Sequence, residues 1–142
     1  MANIIPFAFR GELLSGTHNF ANGGNSFKIA LYTSFAAYST SSTNYLTTNE
    51  VSASNTGYTT GGKVLASQAV VSTGAVATVD FADSTLTSAT FTANSAAIYN
   101  DTNADKLCVV LDFQGNKTAT NGTFTISFPN PSTPANAIIS MA

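Results

Sequence analysis

The sequence predicts an all-β protein: a single-domain antiparallel β-sandwich or barrel of about eight short strands, with a short N-terminal helix. Two observations lead to this prediction. Segments rich in Val, Ile, Thr, Tyr and Phe recur about every ten residues and are separated by Gly, Asn, Asp and Pro. Helical periodicity never extends beyond one or two turns. No linker or shift in composition divides the chain, so residues 1–142 are expected to form one domain.

The strongest strand signal is the segment KLCVVLDF, Lys106–Phe113. Its five apolar residues, Leu107–Leu111, lie between a lysine and Asp112. A short run that is apolar on both faces is typical of a strand buried in the middle of a sheet, although a buried helical segment has the same pattern. We expect alternate residues of this strand to share one face, namely Leu107, Val109, Leu111 and Phe113.

The N-terminal residues 3–9 (NIIPFAF) are predicted to be extended. Pro6 limits them to an edge position, so residues 1–9 form either an edge strand of the protein's own sheet or an arm that pairs with a neighbour. The helix is predicted over Phe9–Ser15, because two leucines lie at helical spacing from its first residue and a glycine follows it.

Alternating apolar and polar residues predict the remaining strands. Phe27–Thr33 has the pattern of a half-buried strand, and TFTISF at 123–128 alternates most regularly. The segments KVLASQAVV (63–71) and AVATVDFA (75–82) flank a Ser-Thr-Gly turn and predict a hairpin. Residues 87–99 add another strand, and residues 135–141 are a last apolar segment. The ranges 34–48, 49–63, 100–105 and 115–122 are predicted to be loops or turns.

The composition argues against several classes of function. Only 8% of residues are charged, and Ser, Thr and Asn supply more than a third of the chain, which suits a protein held in an assembly. The five basic residues are scattered, so a nucleic-acid partner is not expected. No apolar segment approaches the ~20 residues of a membrane span. The N-terminus lacks the basic region of a secretory signal, so synthesis in a cytoplasm is expected.

The segment Gly57–Lys63 (GYTTGGK) matches the GxxxxGK pattern of a phosphate-binding loop, and CVVLD at 108–112 resembles its acidic partner strand. However, the position that should carry the magnesium-binding hydroxyl is Val64. The residues after the loop also predict a strand, whereas a phosphate loop opens a helix. The pattern therefore favours a glycine turn that leads into a strand over a nucleotide site.

Asp101, Asn103 and Asp105 copy the opening of a calcium-binding EF-hand loop. The glycine and glutamate that this loop needs later are replaced by Lys106 and Asp112, and strands rather than helices are expected on both sides. An Asx-rich hairpin turn is the favoured interpretation. An isolated calcium contact through the three oxygen-bearing side chains is the alternative.

No catalytic, cofactor-binding or metal-binding residue is predicted. The only histidine, His18, follows the predicted helix and is expected to donate to its free carbonyls. One histidine and one cysteine do not make a zinc site, and Cys108 is expected to be an inert core thiol. Asp80 and Asp83 flank a turn and are interpreted as turn caps rather than as an acid/base pair. No nucleophile-elbow signature surrounds any serine.

Two surface functions fit these features. One is an assembly protein that binds neighbours through polar loops and apolar strand faces. The other is a lattice or glycan binder that uses threonine-rich faces such as Thr123 and Thr125. N-glycosylation patterns occur at Asn100, Asn116 and Asn121, but they have no use without secretion.

Five segments, in this order, resemble the small virion structural proteins of tailed bacteriophages and their prophages. They are LLSGTHNF, FKIALYTS, NEVSASNTGYTTGGKVLA, STLTSATFTANSAAIYND and KLCVVLDFQGNKTATNGTFTISFP, and they cover most of residues 9–128. Similar phage proteins tend to have NEVSGTGYTAGG where this chain has an extra residue or two around Ser54–Asn55, which lengthens a loop.

The resemblance implies a capsid decoration (cement) protein rather than an enzyme, with no catalytic residues and no cofactor. Such proteins lie on the outer capsid surface of the virion, commonly as homotrimers, and brace neighbouring major capsid subunits. The expected partners are therefore the major capsid protein and copies of the chain itself. A tail or baseplate subunit and a surface glycan-binding module of the virion are the alternatives.

Overall fold

The computed structural model describes residues 3–142 and places seven strands in two antiparallel sheets behind one α-helix. The all-β class with a short N-terminal helix is confirmed, and two of the seven strands are long where about eight short ones were expected. The elements are α1 Phe7–Leu14, β1 Phe27–Tyr32, β2 Lys63–Val64, β3 Ala69–Thr73, β4 Val76–Asp80, β5 Ser84–Asn100, β6 Lys106–Ile126 and β7 Ile139–Met141. Short 3₁₀ turns occupy Phe35–Ala37 and Pro134–Asn136.

The larger sheet, sheet A, has the strand order β2-β1-β5-β6. The smaller one, sheet B, has the order β3-β4-β7. Strands β5 and β6 form a long hairpin, and strand β1 pairs only with Ser95–Asn100, the part of β5 nearest the hairpin turn. Sheet B packs on one face of sheet A, where residues of both sheets share one hydrophobic cluster. Among residues 3–142, none of the helices has the length and apolar character needed to cross a membrane.

Around β1, sheet A is buried on both faces, which makes the half-buried prediction for β1 wrong. Phe27, Ile29 and Leu31 enter the main core shared with sheet B. On the other face, Ala30 and Tyr32 enter a second cluster. The alternation in the sequence indicated only one apolar face, because tyrosine has a polar hydroxyl and was assigned to the exposed face. A tyrosine can be buried where that hydroxyl forms a hydrogen bond.

Residues 34–48 form the cover of this second face, although they were predicted to be a surface loop. Phe35 and Tyr38 are buried there. The hydroxyls of Tyr32 and Tyr38 lie 2.7 Å apart, and the Tyr38 hydroxyl also accepts from the Leu46 N–H at 2.9 Å. Irregular chain can therefore close a core when aromatic side chains fill the space and their hydroxyls satisfy the loop backbone.

The hydrophobic run of β6 is buried as predicted, but its position in the sheet and its faces differ. β6 is the last strand of sheet A, and Ile4 and residues 43–45 cover its outer edge with backbone hydrogen bonds. Ile98 pairs with Val109 whereas Tyr99 pairs with Leu107, so Cys108 is the extra residue of a β-bulge. The bulge turns Leu107 to the second cluster while Val109 stays in the main core.

The N-terminal residues extend only as far as Pro6, and the helix begins at Phe7, two residues earlier than predicted. Ile4 exchanges two 2.8 Å hydrogen bonds with Val110 of the same chain, so this part of the proposed arm lies on the protein's own sheet. Residues 1–2 of the predicted arm or edge strand lie outside the described residues.

Two predicted boundaries are wrong for the same reason. Residues 115–122 were predicted to be a turn, but β6 continues through them. Gln114, Gly115 and Asn121 have positive φ at irregularities in the pairing, so the Gly/Asn signal marks bulges. Residues 63–71 are divided between β2 and β3 by Ser67, which also has positive φ. The hairpin of β3 and β4 is confirmed.

The close approach of the glycine loop to β1 predicts a large difference between two glycine substitutions. Gly62 and Gly74 both have positive φ, but a Cβ at Gly62 would overlap the Ile29 carbonyl, whereas Gly74 faces open space. Gly62→Ala should lower the free energy of unfolding by at least about 3 kcal/mol, and Gly74→Ala by about 1 kcal/mol. Urea denaturation of both variants tests this, and equal losses would contradict it.

Candidate functional site

The glycine loop Gly57–Lys63 leads directly into the two-residue strand β2, which confirms the glycine turn and removes the helix that a phosphate loop requires. Three of its glycines have positive φ. Gly62 lies against the backbone of β1, where a side chain does not fit. The glycines therefore serve a close contact between backbones.

Glu50 binds this loop from inside the protein. Its Oε1 accepts from the Gly61 N–H at 2.7 Å and from the Tyr58 hydroxyl at 2.6 Å, and its Oε2 accepts from the Tyr45 hydroxyl at 2.6 Å. Burial and this carboxylate raise the pKa of both tyrosines well above the ordinary value. The Glu50 carboxylate therefore already accepts from the Gly61 N–H group that a bound phosphate would need. Sequence analysis missed Glu50, since nothing local links it to tyrosines and a glycine several residues away.

The segment 100–105 forms the hairpin turn between β5 and β6, as the favoured interpretation predicted. The Asn100 Oδ1 accepts from the backbone N–H groups of Thr102 and Asn103, at 3.1 and 3.2 Å. Asp101 is ion-paired with Lys28 at 2.9 Å, and the Asn103 amide donates to the Thr17 carbonyl. Two of the three suggested calcium ligands therefore have partners in the chain. Within residues 3–142, no group of three His, Cys, Asp or Glu side chains comes together as a metal site.

His18 lies in a buried polar network instead of at the helix carbonyls, so that prediction is wrong. The helix carbonyls of Glu12 and Leu13 already accept from the backbone N–H groups of Thr17 and Gly16. His18 Nε2 lies 2.8 Å from the Glu12 carboxylate, and Nδ1 lies 3.0 Å from the Asn100 amide nitrogen.

The backbone fixes the direction of the hydrogen bonds in this network. The hairpin turn holds the Asn100 Oδ1, so its Nδ2 must donate to His18 Nδ1. The proton of the neutral imidazole is then on Nε2, which donates to Glu12. The second oxygen of Glu12 accepts from Lys106 Nζ at 2.7 Å. The network therefore joins α1, the following loop, β5 and β6 around one carboxylate.

Cys108 lies beside this network, 3.8 Å from His18 Nδ1. The side chain is fully buried. Burial, and then the Glu12 charge, raise the pKa of the thiol well above its ordinary value. The protonated thiol is a poor nucleophile and a poor metal ligand, so the geometry favours the inert role expected from the sequence.

The remaining candidate residues lie apart from one another. Asp83 accepts from the Phe128 N–H at 2.9 Å, a bond to a distant segment instead of a cap of the local turn, and Asp80 lies on β4 opposite Ala69. Asn100 is fully buried, so its glycosylation pattern is inaccessible, whereas Asn116 and Asn121 are exposed.

The threonine-rich surface is formed by the half of the β5–β6 hairpin that extends beyond β1. Thr85 and Thr125 face each other across the strands, as do Thr92 and Thr118, with hydroxyl distances of 3.3 and 2.8 Å. Thr123 and Thr125 are exposed. An open groove of about 410 Å³ runs along this part of β6 and includes Lys117 in its lining. Hydroxyl pairs of this kind stabilise the ribbon and present a polar, nearly uncharged face.

Comparison of the chain with protein-family models, with curated proteins and with solved structures gave no match.

The Glu50 cluster predicts unequal effects for its two tyrosines. Tyr58→Phe removes a bond to Glu50 and leaves the buried Leu31 N–H, which donates to this hydroxyl at 3.0 Å, without a partner. A loss of about 3 kcal/mol in the free energy of unfolding is expected. Tyr45→Phe is the matched control, because it removes only the bond to Glu50 and should cost about 1.5 kcal/mol. Denaturant titration measures both, and a larger loss for Tyr45→Phe would contradict this account.

The Glu12 network predicts a pH-dependent contribution to stability. Burial tends to raise the pKa of Glu12, but the hydrogen bonds from Lys106 and His18 and the charge of Lys106 outweigh burial and lower it. The unfolded chain therefore binds the proton first, and stability is lost as the pH falls from about 4.3, the ordinary value, through the lower folded value.

Glu12→Gln should therefore destabilise the protein by about 1–2 kcal/mol at pH 7, because the variant loses the charge that Lys106 and His18 stabilise. The difference between the two proteins should shrink as the pH falls below about 4. Urea denaturation from pH 7 to pH 3 checks this. A difference that stays constant over that range would show that the charge of Glu12 contributes nothing.

Proposed function

We propose that the chain is a virion structural protein of a tailed bacteriophage and acts as a capsid decoration, or cement, protein. In this role it binds the outer capsid surface and braces contacts between major capsid subunits. It is made in the host cytoplasm and associates with copies of itself, as a trimer in the simplest case. Neither an enzymatic activity nor a nucleic-acid partner is part of the proposal.

The observation that carries this proposal is the ordered resemblance of the five segments over residues 9–128 to phage virion proteins. The structure adds a physical argument in its favour. Glu12, Glu50 and His18 all use their polar atoms in bonds within the chain. These groups rigidify the fold, and they are engaged in a way that does not suit acid–base catalysis.

The surface supports a role in assembly. It is rich in hydroxyl and amide groups, with 8% of residues charged, so close contact with a neighbouring protein requires little desolvation of charge. The long β5–β6 hairpin presents a threonine face, and the edge strands of sheet B have no partner strand on their outer side within residues 3–142. Edges and loops on a rigid framework are the features that a shell-bracing protein needs.

Electron microscopy of phage particles that carry this chain tests the proposal. The expected result is density for the chain on the outside of the head, at contacts between major capsid subunits. Density on the tail or baseplate would instead support the alternative structural role, and absence from the particle would overturn both.

Deleting the gene provides the second test. Heads that lack the protein should lose their DNA at a lower temperature than wild-type heads, because the subunit contacts are no longer braced. Particles reconstituted with the purified protein serve as the control and should regain heat resistance. Unchanged heat resistance of the deleted heads would contradict a cementing role.

A further inference from the structure

The two outer edges of sheet B differ from the other free edges of the molecule. A free edge exposes unpaired N–H and C=O groups, and proteins that must stay monomeric protect such edges with charges, prolines, bulges or covering segments. In sheet A, β2 is only two residues long and begins with Lys63. The outer edge of β6 is covered at one end by Ile4 and residues 43–45, and farther along it carries Lys117 and backbone irregularities. Sheet A is thus protected at both edges.

The edge strands of sheet B lack the charges found at the edges of sheet A, although β7, with three residues, is also short. These strands have the sequences AVVST (β3) and ISM (β7), without a charge or a proline. Within residues 3–142, no strand pairs with the outer edge of either. Both edges therefore have backbone groups available for a strand of another chain.

Each of these edge strands also carries an exposed apolar side chain, and the two side chains lie on the same face of the sheet. Val70 on β3 is 52% exposed, and Met141 on β7 is 52% exposed. Val70 lies opposite Val79, which lies opposite Ile139, and Met141 lies opposite Ala77, so all five share one face. Val79 and Ile139 in the middle are buried, so the exposed apolar surface is confined to the two edges.

Helix α1 extends the apolar surface beside β7. Leu14 is 87% exposed and lines, with Leu13 and Met141, a groove of about 380 Å³ between the helix and β7. Leu14 and Met141 therefore form one exposed apolar area beside β7, and Val70 forms a separate one at the β3 edge. A contact that pairs backbone and covers these side chains would form the apolar centre of an interface of ordinary size.

We propose that copies of this chain join head to tail, with the β7 edge of one copy pairing with the β3 edge of the next. A symmetric pairing of β7 with β7 of a second copy would cover Met141 but leave Val70 in water, whereas the head-to-tail contact covers both. Because β3 and β7 both run antiparallel to β4, they run in the same direction. The two edges can therefore pair in parallel, and such a heterologous contact builds a ring where the rotation between copies closes and an open chain where it does not. The inference rests on the part of the proposed function in which the chain associates with its own copies, and not on binding to a capsid.

Light scattering of the purified protein during size-exclusion chromatography tests the proposal. The native chain should elute with a multiple of its 14.6 kDa mass. Val70→Glu and Met141→Glu each place a charge on one of the two edges and should both reduce the mass to that of one chain. Val64→Glu is the matched control, since Val64 is 54% exposed on β2 of sheet A, and this variant should keep the native mass.

Mixing the two edge variants gives a result specific to head-to-tail contacts. Val70→Glu keeps an intact β7 edge and Met141→Glu keeps an intact β3 edge, so an equimolar mixture should form a species of two chains. Circular dichroism of each variant, with the native β signal expected, separates dissociation from unfolding.

Three results would overturn the proposal. They are a native chain with the mass of a single copy, dissociation by Met141→Glu but not by Val70→Glu, and equal dissociation by the Val64→Glu control. The location of the protein on particles is measured separately by electron microscopy. The head-to-tail contact can therefore be disproved while the structural role in the virion is supported, and the virion role can be disproved while the contact is supported.

Discussion

The bulge at Cys108 is the constraint on which sheet A depends. Sheet A is apolar on both faces around β1, β5 and β6, so hydrophobicity alone does not choose the pairing register there. The extra residue between the Ile98–Val109 and Tyr99–Leu107 pairs sends Leu107 to the second cluster and keeps Cys108 and Val109 in the main core. Fully burying one Val or Leu side chain is worth roughly 1.5–3 kcal/mol. A shift in the pairing register that removed several such side chains from the core would therefore cost a large part of the roughly 5–15 kcal/mol by which a domain is typically stable.

Two carboxylates then hold the remaining segments to this framework. Glu12 connects the helix to β6 through Lys106 and to the hairpin turn through His18 and Asn100. Glu50 connects the glycine loop to the covering loop through Tyr58 and Tyr45. Each carboxylate accepts several hydrogen bonds, which compensates for its desolvation and makes the joined segments depend on one another.

This internal use of charge explains the character of the surface. Lys28, Lys106, Glu12 and Glu50 all have hydrogen-bonded or ion-paired partners within the chain, so few charges are left to keep copies apart. Sheet A nevertheless has protected edges, whereas sheet B has apolar edges without a charge. The difference between the two sheets suits an assembly protein that must pair at chosen edges and at no others.

Local pattern was sufficient for the elements whose signal lies within one segment. The helix, the β3–β4 hairpin, the alternation of TFTISF and the Asx turn at 100–105 all follow from the spacing and type of neighbouring residues. Local pattern failed at 115–122, because a glycine or asparagine with positive φ has the same signal in a bulge as in a turn.

Only the tertiary contacts show which segments cover sheet A and which groups the carboxylates of Glu12 and Glu50 bind. Composition and local pattern predict an all-β chain with a short N-terminal helix, little charge and one buried cysteine. Residues 34–48 lack periodicity, yet Phe35 and Tyr38 close a core, and Glu12 meets Lys106 from the far side of the sequence. Such contacts join residues that are distant along the chain, so no period within a single segment encodes them.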